Sequence, residues 1–272
     1  MQATTTIPIE NYILIDGSYF IYHRICSLTA WWKHAHPETP LVGETILENT
    51  VFMDKFESTF HDTLHNLAKN LGIESSQIIV ARDCKRADIW RMELFPGYKG
   101  TRVRTPEQEA ILRPLFQHVY ARQMFQTARV LFHPRLEADD CIALSVKYLG
   151  NTDNKANIYI VASDKDYLQL TQDPRVKIFD LAFKNIALAK SSHDNGACDL
   201  FCKIVMGDTS DNISSVLKKC GPKTALKCWN DRAYFQDRLE KEGAQAKYEL
   251  NQTLVDFKNI PALLAEEFYN DN

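Results

Sequence analysis

Five short apolar runs set the limits on how this chain can fold: Tyr12-Ile13-Leu14-Ile15, Gln77-Ile78-Ile79-Val80-Ala81, Ala128-Arg129-Val130-Leu131-Phe132, Asn157-Ile158-Tyr159-Ile160-Val161-Ala162 and Arg175-Val176-Lys177-Ile178-Phe179. Runs of this length and composition read as buried strands. Between them apolar residues recur at helical spacing, most clearly over residues 50–71, where Val51, Phe52, Phe56, Phe60, Leu64, Leu67 and Leu71 share a face and Gly72 supplies the stop. An amphipathic helix is expected through Tyr22, His23 and Ile25, a loop over residues 33–48, and another helix over residues 106–126. Strands alternating with helices predict an α/β protein with a mostly parallel central sheet covered on both faces.

Ligands of such sheets gather outside the carboxyl ends of the strands. Four runs end on an acid or lead into one: Asp16, Asp83, Glu137 and Asp164. Any one of these has an ordinary reading as a turn or cap residue. In Leu136-Glu137-Ala138-Asp139-Asp140, however, three carboxylates stand within four residues before a helical apolar run. One carboxylate is enough to cap a helix, and the others crowd like charges together at a cost. A divalent cation relieves that crowding, because hard cations choose oxygen ligands. Four separate segments aiming acids at one rim therefore point to a shared metal site.

Hydrophobic residues make up 45% of the chain and charged ones 25%, as in ordinary globular proteins. No apolar run approaches the ~20 residues of a membrane span. The first eleven residues are polar and lack the layout of a signal peptide. The expectation is a protein of the cytoplasm, or of the nucleus in a eukaryote, not secreted and without a membrane partner. The seven cysteines show no paired metal spacing; Cys198 and Cys202 lie four apart near His193, but with no second ligand pair the default is buried thiols in a reducing compartment. The net charge of −3 argues weakly against nucleic acid, but the distribution matters more. Setting aside nine metal-binding candidates (those above with Asp166, Asp208 and Asp211) leaves 26 acidic residues against 32 basic, a balance of +6. Residues 85–104 are basic with aromatics interleaved, and residues 218–227 carry a lysine-rich turn around Gly221 that opens a helix. Such turns present backbone N–H groups to phosphates, and their lysines add affinity without sequence readout.

Several stretches, taken together and in order, resemble the 5′-nuclease family of flap endonucleases, phage 5′-exonucleases and the 5′-nuclease domain of bacterial DNA polymerases. They are Leu14-Ile15-Asp16-Gly17-Ser18, the segment 91–102 containing Tyr98-Lys99-Gly100-Thr101-Arg102, Leu136-Glu137-Ala138-Asp139-Asp140, Ser163-Asp164-Lys165-Asp166-Tyr167 and Gly207-Asp208-Thr209-Ser210-Asp211-Asn212-Ile213. The resemblance implies a PIN-like catalytic domain over residues 1–190 with a helical arch at about 97–127. It also implies a helical DNA-binding region over residues 191–272 with a helix–hairpin–helix element. Asp16, Asp83, Glu137, Asp139 and Asp140 would serve one Mg²⁺ or Mn²⁺, and Asp164, Asp166, Asp208 and Asp211 a second. Lys99 and Arg102 would clamp the scissile phosphate, so the catalytic expectation rests on Lys99, Arg102, Asp139 and Asp164. DNA contacts are expected from Tyr19, His23, Arg24, Arg91, Tyr98, Lys99, Arg102, Lys218, Lys219 and Lys223, whereas Trp90 is expected in the core.

The sequence departs from the family at the hairpin, where Ser214-Ser215-Val216-Leu217-Lys218-Lys219-Cys220-Gly221 has a single glycine and one residue more. That departure bears against the K⁺ that hairpin carbonyls often hold in the family. His23 and Arg24 stand where many members have one arginine seven residues after the first aspartate. The implied activity is metal-dependent hydrolysis of DNA near 5′ ends or at single-strand/duplex junctions, by a monomer acting in replication or repair. Removal of RNA primers from RNA–DNA hybrids, and non-cleaving binding of branched DNA, stay open as alternatives.

Overall fold

A computed structural model describes residues 10–73, 76–153 and 155–272. Most of the N-terminal segment read as lacking a leader lies outside the described residues. The sheet is built from β1 (Asn11–Asp16), β2 (Gln77–Arg82), β3 (Arg129–Phe132), β4 (Asn157–Val161) and β5 (Val176–Phe179). Its order is β3-β2-β1-β4-β5 and every pairing is parallel. The helices are α1 (Gly17–Ala35), α2 (Thr50–His65), α3 (Leu67–Asn70), α4 (Arg91–Leu94), α5 (Pro106–Ala121), α6 (Ala138–Thr152), α7 (Gly196–Met206), α8 (Pro222–Asn230), α9 (Arg232–Glu242), α10 (Gln245–Val255) and α11 (Ala262–Asp271).

Alternate residues of the central strand go to opposite faces, as the pleat requires. Ile13 and Ile15 join α1, α2 and α5 in one core, while Leu14 joins α6 and α11 in the other. A strand buried on both faces cannot alternate polar and apolar residues. That is why β1 reads as an unbroken apolar run. Its register sets Asp16 beside Ala81 of β2 and Ile15 beside Val161 of β4, so the chain leaves all three strands at one level.

The helices differ from the sequence reading at their ends. α1 runs on to Ala35, and residues 43–48 of the expected loop form a 3₁₀ turn. The long helix over 50–71 breaks at Asn66, whose side chain donates to the Asp62 carbonyl at 2.7 Å and competes with the helical ladder. α5 stops at Ala121 because Gln123 adopts φ +49°, and the N–H groups of Gln123 and Met124 return to the carbonyls of Tyr120 and Val119. This is a Schellman stop, made without glycine and locked by the burial of Met124 and Phe125. In the stretch 97–127, residues 100–108 are exposed, whereas Leu112, Leu115 and Val119 of α5 pack into the α1/α2 core.

Helices α7, α8 and α9 enclose a separate small core of Cys198, Phe201, Cys202, Val205, Ala225, Cys228, Phe235 and Leu239. The last helix does not join this lobe. Leu264 and Phe268 of α11 are buried with Leu144 and Ile158 against the sheet. The Asn272 amide then pairs with both the N–H and the carbonyl of Phe132 on the β3 edge, at 3.2 and 3.1 Å.

Candidate metal centre

The carboxyl ends of β1, β2 and β4 meet the first turn of α6 at one rim. Asp16 ends β1 and caps α1, accepting from the Tyr19 N–H at 2.9 Å and from the Tyr167 hydroxyl at 2.9 Å. Asp83, just past β2, accepts from the Ala138 N–H at 2.8 Å and so ties that strand to α6. Asp164 follows β4 and caps the 3₁₀ helix Lys165–Gln172. Glu137 is the N-cap of α6, and Asp139 in its first turn accepts from the Asp140 N–H at 2.8 Å. Asp16, Asp83, Glu137, Asp139 and Asp164 line one open cleft of about 310 Å³. Lys99, Arg102 and Arg104 line the same cleft.

The other four predicted acids lie behind this wall. Asp140 is fully buried: Arg91 donates to its two oxygens at 2.8 and 2.7 Å and Trp90 Nε1 at 3.0 Å. Asp166, Asp208 and Asp211 form a neighbouring group whose oxygens come within 4.8 Å of one another, as do those of Glu137, Asp139 and Asp140. Asp208 is presented by the segment 207–213, where Asp208 and Ile213 exchange backbone hydrogen bonds. Gly207 is obligatory there: its φ is +72°, and a Cβ would lie 2.4 Å from the Ile213 carbonyl. The Asn212 amide donates to the Gly97 carbonyl at 2.8 Å, and the Lys99 N–H to the Asp211 carbonyl at 2.9 Å, which fixes this segment against the turn carrying Lys99 and Arg102.

One charged residue among the acids escaped the sequence reading. Lys203, in the last turn of α7, places its ammonium between Asp166 and Asp208, 2.5 Å from the latter. The signal was available as a lone lysine on an apolar helix five residues before Asp208.

Two expected DNA contacts are corrected. Arg91 is 2% exposed, held by Glu137, Asp140 and the Leu254 carbonyl, so it anchors the acids and does not face solvent. Tyr98 is equally buried and cannot stack on a base; its hydroxyl lies 3.0 Å from Glu137 and 3.1 Å from Asp211. Trp90 is in the core, as expected. Tyr19 lines the cleft, with its hydroxyl accepting from the Leu181 N–H at 3.0 Å. His23 and Arg24 sit on α1 away from the cleft lining, partly buried, with His23 Nδ1 and Arg24 Nε lacking hydrogen-bond partners. Lys218, Lys219 and Lys223 are exposed around the turn that opens α8.

Each of the two groups mixes raised and lowered carboxyls. Burial, and then Asp83, push Asp16 up to about 7. Burial with Glu137 and Asp140 holds Asp139 well above the usual carboxylate range. Glu137 is held low, because Lys99 and Arg91 outweigh its burial. Asp208 is also buried in part, yet Lys203 holds it down to about 2. Burial and the Asp164 charge raise Asp166 to about 7 against the pull of Lys203. Asp16 and Asp139 thus lack a compensating cation, and the cleft acids together offer hard oxygen donors, the donor set that suits Mg²⁺ or Mn²⁺. The second group already carries one cation of its own.

Residues 11–196 match the family described as 5′-3′ exonuclease, N-terminal resolvase-like domain. The chain belongs to this family. Ribonuclease H of Enterobacteria phage T4 is 28% identical over 222 residues, 75% of this chain and 71% of that protein. DNA polymerase I of Streptococcus pneumoniae is 30% identical over 199 residues, 68% of this chain but only 21% of the polymerase. Among solved structures, bacteriophage T5 flap endonuclease in a complex with DNA and metal ions superposes with a TM-score of 0.69 at 18% identity, covering 96% of this chain and 97% of that one. The family fold and the mostly parallel α/β sheet expected from the sequence therefore agree, the observed sheet being parallel throughout.

Proposed function

We propose that the protein is a structure-specific 5′-nuclease that hydrolyses DNA near 5′ ends or single-strand/duplex junctions with Mg²⁺ or Mn²⁺. The observation that carries this reading is the cleft in which five carboxylates from four segments face Lys99, Arg102 and Arg104. Divalent ions held by these acids would supply an activated water and charge stabilisation at the attacking and leaving oxygens. Asp16, Asp83, Glu137, Asp139 and Asp164 would hold the first ion. Asp166, Asp208 and Asp211 would hold a second, in competition with Lys203. Arg102 and Arg104 are about half exposed, at 46% and 53%, and draw the phosphate backbone toward the rim. Lys99 is held against Glu137 and is aimed at the same space. The exposed span 100–108 brings Arg102 and Arg104 to the cleft, and a single strand would pass along it. Lys218 and Lys219 on the α7–α8 connection and Lys223 in the first turn of α8 are suited to sequence-independent contact with duplex phosphates.

Cleavage of 5′-labelled flap, nicked-duplex and blunt DNA with Mg²⁺, with products sized, tests the reading. Junction-dependent products are expected, lost on Asp164→Ala. Tight flap binding without cleavage, unaltered by Asp164→Ala, would show a non-cleaving binder instead. The T4 relative is named ribonuclease H, so a 5′-RNA/DNA hybrid belongs in the same assay. Preferred cutting of that hybrid would make primer removal the natural reaction.

A further inference from the structure

Outside the acidic cleft, the lobe formed by α7, α8 and α9 brings together one more set of metal-ligating side chains. Cys198 and Cys202 lie one turn apart on α7, so their thiols share a face, and both are buried. His193 precedes the helix, and its ring reaches the same place: ligand atoms of His193, Cys198 and Cys202 come within 4.8 Å of one another. Asp199 accepts from the His193 ring Nδ1 at 2.7 Å, from the His193 backbone N–H at 3.0 Å and from the Ser192 hydroxyl at 3.0 Å. A carboxylate that fixes the tautomer and direction of an imidazole, leaving the other ring nitrogen free, is the usual support for a metal-bound histidine. The His193 side chain is 25% exposed, which gives an ion a path inward.

We infer that His193, Cys198 and Cys202 bind a soft divalent ion of the zinc class, with Asp199 orienting the histidine and water in the fourth position. Sequence spacing alone argued against this, because no second ligand pair is visible. The fold supplies the third ligand from the loop before α7 instead. Two thiols and an imidazole select zinc over the hard ions suited to the acidic cleft. Binding releases the two thiol protons to solvent and joins the loop to α7, the helix that carries Lys203 next to Cys202. The alternative is two apolar thiols packed in a small core, a common fate of buried cysteine. That alternative does not account for the imidazole and its Asp199 support at the same spot.

The test uses the full chain, stripped with a chelator and titrated with Co²⁺ in the presence of a reductant that does not bind metal. Tetrahedral thiolate–cobalt coordination gives intense absorption in the near ultraviolet and d–d bands in the red, which oxygen-bound cobalt in the acidic cleft does not. We expect these bands at stoichiometric Co²⁺, displaced by Zn²⁺, retained in Asp139→Ala and lost in the double variant Cys198→Ser/Cys202→Ser. His193 is on the surface side and its variants should fold, as circular dichroism would verify. His193→Gln should lose the red bands, and Asp199→Asn should weaken Co²⁺ binding about 10–100-fold. Absence of thiolate absorption in wild-type protein with free thiols would overturn the inference. So would bands that persist unchanged in His193→Gln. Neither result depends on whether the chain cleaves DNA.

Discussion

The Arg91 guanidinium grips both oxygens of Asp140, at 2.8 and 2.7 Å, with neither side chain reaching solvent. It also touches Glu137 at 3.1 Å and the Leu254 carbonyl at 2.7 Å, and so spans from the metal rim to α10. Removing one partner of such a pair leaves a buried charge unpaired, which costs about 3–5 kcal/mol. Arg91→Ala should therefore lower the unfolding free energy by about that amount in denaturant titration. Arg91→Lys should recover only part of it, since an ammonium cannot reproduce the two-pronged geometry. A loss below about 1 kcal/mol in Arg91→Ala would mean that the pair is not the anchor described here.

Asp164 provides the contrast. It is exposed and its structural work is one cap bond, to the Asp166 N–H at 3.1 Å. Asp164→Ala should cost about 1 kcal/mol of stability while lowering the cleavage rate by about 100-fold or more. Asp140→Ala should do the reverse in order of severity, costing about 3–5 kcal/mol of stability and lowering the rate less than Asp164→Ala does. Stability and rate measured on the same preparations separate the two.

That contrast marks what the sequence carries. The strands are legible because a doubly covered sheet forces continuous apolar runs, and the rim acids are legible because each follows one of those runs. Arg91 and Tyr98 are misread for a physical reason. They stand in a run of basic and aromatic residues that resembles a nucleic-acid surface, and only contacts 49 and 39 residues away, to Asp140 and Glu137, turn them inward. Lys203 is hidden for the same reason, since its partners come from two other segments. The end of α5 is missed because its left-handed stop uses Gln123, not glycine. That α11 returns to the sheet, away from the lobe, depends on which apolar face it finds, and helical spacing does not specify the target.

Gly207 offers a test of backbone geometry. With φ +72° and the Ile213 carbonyl 2.4 Å from a built Cβ, Gly207→Ala must shift the segment that carries Asp208 and Asp211. We expect a stability loss of about 1–3 kcal/mol and a larger fall in cleavage, because that segment also holds the Lys99 turn. Thermal unfolding and initial cleavage rates measure the two effects. A variant with full activity would show the segment to be dispensable for positioning.

Asp16 and Asp166, raised to about 7, make the metal-free protein sensitive to pH. Between the ordinary carboxylate pKa and about 7, the folded chain keeps protons that the unfolded chain has lost. Their contribution to stability is therefore full below about pH 4 and is lost as pH rises through about 7. Glu137 and Asp208, shifted down, change only under more acid conditions and do not oppose this trend. The thermal midpoint of chelator-treated protein should fall from about pH 5 to about pH 8, and Mg²⁺ should raise it more at the higher pH. Binding of the ion displaces the retained protons, so proton release on Mg²⁺ addition should be measurable near neutrality. A metal-free midpoint that rises over this range would contradict the burial and like-charge crowding that raise these two acids.

Lys203 decides how the second acidic group is used. Its ammonium lies against both Asp166 and Asp208, and these carboxylates together with Asp164 hold it firmly protonated despite burial. A lysine in that position neutralises the group while no ion is present, so an ion entering there must share or displace it. Lys203→Met keeps the length and apolar packing of the stem and removes the charge. Without metal, the two carboxylates then repel each other, and unfolding free energy should drop by about 3 kcal/mol. With Mn²⁺ the penalty should shrink and the apparent affinity for the ion should rise, because the competing cation has gone. Titrating Mn²⁺ into wild type and Lys203→Met by calorimetry, with thermal unfolding at each metal concentration, reads both effects. If Lys203→Met instead binds Mn²⁺ more weakly, the lysine organises the carboxylates for the ion, and the competition argued from its position is wrong.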